Sequence, residues 1–183
     1  MNLKKLVLII AVAGILVGSA VVGYVYYKAF TPNTTFSQKE VYVYIPTGST
    51  YEQAKEELAP FIKNMSKFDF VASQRKYDVN VKAGKFLLKQ NMTSFDMVRA
   101  LRQNVPVKVA FNNQESLGKL AQRLATQLEP DSLTLVQAFT KPDFLQENGF
   151  TEETVFTLFL PNTYEFYWNT STEKLRNQFT KEY

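Results

Sequence analysis

The sequence predicts an α+β chain in which a membrane-spanning helix precedes two small mixed units. Three observations carry that prediction. An uncharged apolar run extends from Leu6 to Tyr27. Residues 39–104 then pass from strand-type alternation to two helical patterns, a second strand and a trailing helix. Residues 105–183 mix a strand, several short amphipathic helices and an aromatic-rich run. The layout is a short basic N-terminus (1–5), an apolar helix (6–27), a polar linker (28–38), a first unit (39–104) and a second (105–183).

Composition narrows the chemistry. With 183 residues, 45% hydrophobic and 21% charged, the chain can bury an ordinary core. The net charge of +4 is spread along the sequence, and clusters such as Arg75-Lys76 are short, which argues against a nucleic-acid surface. Mild basicity suits anionic lipid or an anionic polymer. Cysteine is absent, so disulfides, thiolate catalysis and sulfur-ligated metal sites are excluded. Histidine is absent too, which removes a Ser-His-Asp triad and an H-E-x-x-H metal site. Acid–base chemistry near neutral pH would fall to a carboxyl group held in surroundings that favour its protonated form.

The elements follow in order. Lys4 and Lys5 precede the apolar run, which at about 1.5 Å per residue crosses a hydrocarbon core of about 30 Å. It is longer than the roughly 7–15 residues of a signal-peptide core and continues past Gly18-Ser19-Ala20, so an uncleaved anchor is expected. The basic end would stay in the cytoplasm and the body outside, giving a single-pass protein of the cell membrane. Tyr24, Tyr26 and Tyr27 suit the far interface. Residues 28–38 read as a linker lifting the body off the bilayer. Residues 40–45 alternate like a strand, Pro46-Thr47-Gly48 turns, and Ser49 with Glu52 forms a capping-box pattern for a helix ending near Pro60. A second helix runs from Met65 to about Ser73. Lys82-Ala83-Gly84 turns into a strand from Lys85 to Leu88, and Thr93 caps a helix bearing Phe95, Met97, Val98 and Leu101.

In the second unit Val105 to Phe111 is a strand, with Pro106 suiting an edge. Ser116 opens a helix whose Leu117, Leu120, Ala121, Leu124 and Leu128 form one core-facing stripe. Helices over Leu133–Phe139 and Asp143–Glu147 follow, the first capped by Asp131 or Ser132 and the second stopped at Asn148-Gly149. The segment from Leu158 to Trp168 combines an apolar run, a Pro161-Asn162 turn and an aromatic run holding one acid, Glu165. On residues alone it is either two strands about a turn or the wall of a binding cleft. Thr170 with Glu173 is a second capping-box pattern, opening a helix whose Leu175 and Phe179 have no evident partner face.

The strand–helix–helix–strand order of 39–104, with Gly48 at the first turn, resembles LysM domains, small modules that bind N-acetylglucosamine polymers. Lys82-Ala83-Gly84-Lys85-Phe86 with Met92-Thr93 and Met97, and above all Phe159-Leu160-Pro161-Asn162-Thr163-Tyr164, resemble the K-A-G-x-Y/F … M-T and L-F-P-D-T-Y segments of the endolytic murein transglycosylases, the YceG-like proteins. The resemblance implies an anchored lyase that cleaves peptidoglycan glycan strands, leaves 1,6-anhydro-N-acetylmuramic ends and uses one Glu as acid and then base, without a metal. Peptidoglycan synthases are candidate protein partners. In that pattern the acid lies five residues before the Pro, as E-G-Y-L-F-P-D-T-Y. Here that position is Phe156, which cannot transfer a proton, Thr157 stands for the Gly and Asn162 for the Asp. The candidate acid is therefore Glu165, with Glu152 and Glu153 as alternatives. Asn162, Tyr164, Tyr167 and Trp168 are the candidate substrate contacts, and 105–183 would be part of a longer catalytic domain. A chain that binds glycan without cleaving it is the alternative.

Overall fold

The apolar run folds as one helix, α1 (Leu3–Phe30), because nothing in it interrupts helical hydrogen bonding. Its mean hydropathy reaches 2.7, and among the described residues it is the helix long and apolar enough to cross a membrane. The computed structural model describes residues 3–183, so the first two residues of the expected cytoplasmic segment lie outside the described residues. The chain divides into two compact units. One comprises residues up to Val43, Thr50–Val81 and Leu87–Gln103; the other comprises Tyr44–Ser49, Lys82–Phe86 and Asn104–Tyr183. The division is more interleaved than the cut expected at 104/105, since strands β1 (Glu40–Ile45) and β2 (Gly84–Lys89), which pair with each other, each contribute to both units.

In the first unit α2 (Tyr51–Leu58), α3 (Met65–Gln74) and α4 (Ser94–Ala100) bury Leu58, Phe68, Val71 and Met97. The expected strand–helix–helix–strand order is present, but the cap of α2 shifts by one residue. The Gln53 N–H donates to the Thr50 hydroxyl at 3.3 Å and the Thr50 N–H donates to the Gln53 side chain at 2.8 Å, while the Ser49 hydroxyl donates to the Pro46 carbonyl. The expected linker is also corrected. Asn33 is 1% exposed; its side chain donates to the Asn64 carbonyl and the Ser94 hydroxyl at 2.9 Å and accepts from the Asn64 N–H. Pro32 and Thr34 form bridges to Thr93 and Ile62. A buried asparagine with its hydrogen bonds satisfied fixes the segment to the unit.

In the second unit β3 (Pro106–Phe111) pairs antiparallel with β4 (Asn162–Tyr167), from Pro106 opposite Tyr167 to Phe111 opposite Asn162. Period-two alternation turns Val107, Val109, Phe111, Tyr164 and Phe166 toward the core and leaves Lys108, Thr163, Glu165 and Tyr167 exposed. Helices α5 (Leu117–Ala125), α6 (Ser132–Phe139) and α7 (Pro142–Asn148) form where expected, with α6 starting one residue earlier and α7 one residue longer at each end; Ser116 and Asp131 cap α5 and α6, and Gly149 in a left-handed conformation (φ 71°) ends α7. Leu158 closes a short 3-10 turn (Val155–Leu158) rather than a strand. The last helix, α8 (Thr172–Glu182), is capped by Ser171 instead of Thr170.

The face of α8 for which the sequence offered no partner is the centre of the core. Leu175 and Phe179 are fully buried. The Phe179 ring lies 5.0 Å from those of Phe159 and Tyr164, 5.6 Å from Phe166 and 6.0 Å from Phe111 and Phe139. Truncating such a ring leaves a cavity that rigid neighbours cannot refill. Phe179→Ala is expected to destabilise the second unit by about 3–5 kcal/mol, against less than about 0.5 kcal/mol for exposed Lys174→Ala. Denaturant unfolding followed by Trp168 emission measures both.

Candidate functional site

The β3–β4 ribbon organises the candidate residues at its two ends and along its outer face. At one end Pro161 starts the turn and the Asn162 side chain accepts the Thr163 N–H at 2.7 Å. Tyr164 donates its hydroxyl to the Leu160 carbonyl at 2.7 Å and stacks on Phe111, 5.5 Å between centroids and 9° between planes. Burial pushes the Tyr164 phenol up from its ordinary pKa. This ring is therefore committed to the core and shapes the site without facing it. Beside it an open groove of about 720 Å³ is lined by Asn112, Gln114, Arg123, Asn162 and Thr163. Side-chain amides and one guanidinium, with no acid among the described lining residues, suit the hydroxyls and amides of a polar ligand.

Along the outer face Glu165 is exposed and stands opposite Lys108 in the ladder. The aromatic residues that surround it in sequence are divided by the pleat. Tyr164 and Phe166 turn inward, and Tyr167 shares its face two residues on. Glu152 and Glu153 are exposed in the turn before the 3-10 segment and line neither this groove nor the ribbon face. Phe156 packs against the core, 6.4 Å from the Phe159 ring.

At the other end Trp168 meets Tyr44 edge to face at 5.1 Å. Local sequence patterns do not announce this pairing, because the two rings are far apart along the chain. Two hydrogen-bond networks hold it. The Glu129 carboxylate accepts from the Thr47 N–H at 2.5 Å and from the Thr47 hydroxyl at 2.6 Å, while its own N–H donates to the Trp168 carbonyl at 2.8 Å. The Asn104 side chain accepts from the Lys85 N–H at 3.0 Å and donates to the Asn169 side chain at 2.9 Å, and Asn169 donates to the Ala83 carbonyl at 3.3 Å. Gly84 of the Lys82-Ala83-Gly84 segment packs against the second network. Its φ is +140°, and a Cβ there would lie 2.5 Å from the Asn104 side chain.

The profile of the YceG-like family matches residues 43–183, a span that contains both ends of the ribbon and the groove beside Pro161. The chain belongs to the YceG-like family. A crystal structure of a YceG-like protein from Listeria monocytogenes is similar at 22% identity and a TM-score of 0.39, over 80% of this chain and 55% of that one. The chain thus spans little more than half the length of that relative. No curated protein matches the sequence. For this YceG-like chain, Gly84→Ala is expected to destabilise the second unit by on the order of 2 kcal/mol, through strain and loss of the Asn104 bonds. The loss should be smaller when introduced into Asn104→Ala, where the steric conflict is gone; a double-mutant cycle in denaturant unfolding reads the difference.

Proposed function

We propose that the protein is a membrane-anchored endolytic transglycosylase of peptidoglycan, held by residues 6–27 as a single-pass anchor with its body outside the cytoplasm. Family membership over residues 43–183 carries the proposal. The strand–helix–helix–strand elements of the first unit would act as a LysM-like glycan-holding module. Glu165 is the proposed acid and base. Protonated, it gives its proton to the glycosidic oxygen as that oxygen parts from the anomeric carbon. As carboxylate, it takes the proton of the sugar's 6-hydroxyl while that oxygen bonds to the anomeric carbon and closes the 1,6-anhydro ring. Exposed Tyr167 and half-buried Trp168 would offer ring faces to sugars, and Asn162 a hydrogen bond to a sugar amide.

Anchored glycan binding without cleavage is a second reading. The observation favouring it is Phe156, which packs into the core at the position where the family resemblance calls for an acid. Release of anhydro-ended muropeptides by the full protein separates the two. Glu165→Gln keeps the side chain's size and removes its proton, and is expected to lower release by about 100-fold or more while the protein stays folded. Unchanged release by the variant would move the role to Glu152 or Glu153, each tested by the same substitution. A parent protein that makes no anhydro ends would leave the binding reading.

A further inference from the structure

Helix α3 returns along α1 toward the apolar run. In its first turn the Lys67 ammonium meets Tyr27 and Thr31, and one turn on Phe70 meets Tyr24. Lys28 fixes the start of α3 by donating to the Ser66 hydroxyl at 2.7 Å. Arg75 and Lys76 follow the last residue of α3, so they lie about 7–9 Å beyond Phe70 on the side of the apolar run. We infer that the exposed cations at the ends of α3 and α4, Arg75, Lys76, Arg99 and Arg102, form a binding surface for the headgroup phosphates of anionic phospholipids. The inference goes beyond the lyase and glycan-binding readings and rests only on the anchored reading of α1.

Three observations support it. The first is depth: Tyr24 and Tyr27 suit the interface, and α3 passes that level before it ends, which brings its last residues to the headgroup layer. The second is that the fold gathers the cations beside α1. The Arg75 guanidinium lies 5.1 Å from the Phe95 ring centre, and Phe95 packs at 5.3 Å on Phe30 of α1. The Arg102 guanidinium donates to the Arg75 carbonyl, and Arg99 lies one turn after Phe95 on the same face of α4. The third is that the charge is not cancelled within the unit. Among the described residues no carboxylate forms an ion pair with any of the four. The acids near them in sequence have other partners. Asp69 accepts from the Tyr51 hydroxyl at 2.7 Å, Asp96 from the Thr93 hydroxyl at 2.8 Å and Asp78 from the Val79 N–H at 3.0 Å. A guanidinium can grip a phosphate through two parallel N–H bonds, and each cation near an anionic bilayer surface strengthens attachment by about fivefold.

The chain has no cysteine, so Gln74→Cys, one turn beyond Phe70 on α3, gives a single site for a fluorescent label. The labelled protein, with α1 intact, is reconstituted in phosphatidylcholine vesicles that carry a trace of nitroxide-bearing lipid, either phosphatidylglycerol or phosphatidylcholine. Nitroxide phosphatidylglycerol is expected to quench the label at about one-fifth of the concentration that nitroxide phosphatidylcholine needs, and about 0.5 M salt should abolish the preference. Lys76→Gln combined with Arg99→Gln should reduce the preference to about twofold or less, while Lys63→Gln, before the start of α3, leaves it unchanged. Thermal unfolding confirms that each variant is folded. Equal quenching by the two lipids would overturn the inference and leave the cations to a soluble polyanion; a preference that survives in the double variant would overturn it as well. Flotation of the protein with neutral vesicles tests the anchor separately. Flotation without a phosphatidylglycerol preference removes the lipid surface alone, whereas failure to float removes the anchored reading and this inference with it.

Discussion

The Phe179 ring touches five others, drawn from β3, α6, β4 and the loop before β4. A two-stranded ribbon cannot hold its shape in water on backbone hydrogen bonds alone and needs a covered face. Here α8 supplies that cover, with each ring pair adding about 0.5–1.5 kcal/mol beyond area burial, though not additively. The dense packing leaves the pleat no freedom to rotate. Once Tyr164 and Phe166 are taken into the core, Glu165 and Tyr167 must face outward, and Trp168 must leave the ribbon at its end. The placement of every candidate polar group in the second unit follows from which aromatic residues the core consumes.

Much of this was legible in the sequence where the determinants are local. The stripe of α5, the left-handed stop at Gly149 and the Thr93 cap each depend on neighbouring residues alone. The two misplaced caps share one cause. Each involves adjacent hydroxyl residues, Ser49-Thr50 and Thr170-Ser171, and in each the first donates to a carbonyl three residues back while the second caps the helix. A turn therefore precedes the cap, and the S/T-x-x-E pattern fits one residue too early. Glu52, freed from the capping role, pairs instead with Lys55 at 2.8 Å.

The illegible part is long-range. Nothing near Phe179 in the chain announces Phe111, and nothing near Trp168 announces Tyr44. The polar character of residues 28–38 was read as solvation, whereas Asn33 buries its side chain because Asn64 and Ser94 complete its hydrogen bonds. The aromatic setting of Glu165 was inferred from adjacency in sequence, and adjacency along a strand alternates faces. Composition marks the aromatic run; only the pleat says which of its side chains face outward.

The end of α1 bears on how the first unit meets a membrane. Lys67 is buried with its ammonium 3.7 Å from the Tyr27 ring centre and 2.8 Å from the Thr31 hydroxyl, and Tyr24 meets Phe70 edge on at 6.0 Å. These contacts join helix and unit without slack. With α1 in a bilayer, these contacts would hold the first unit beside the lipid headgroups.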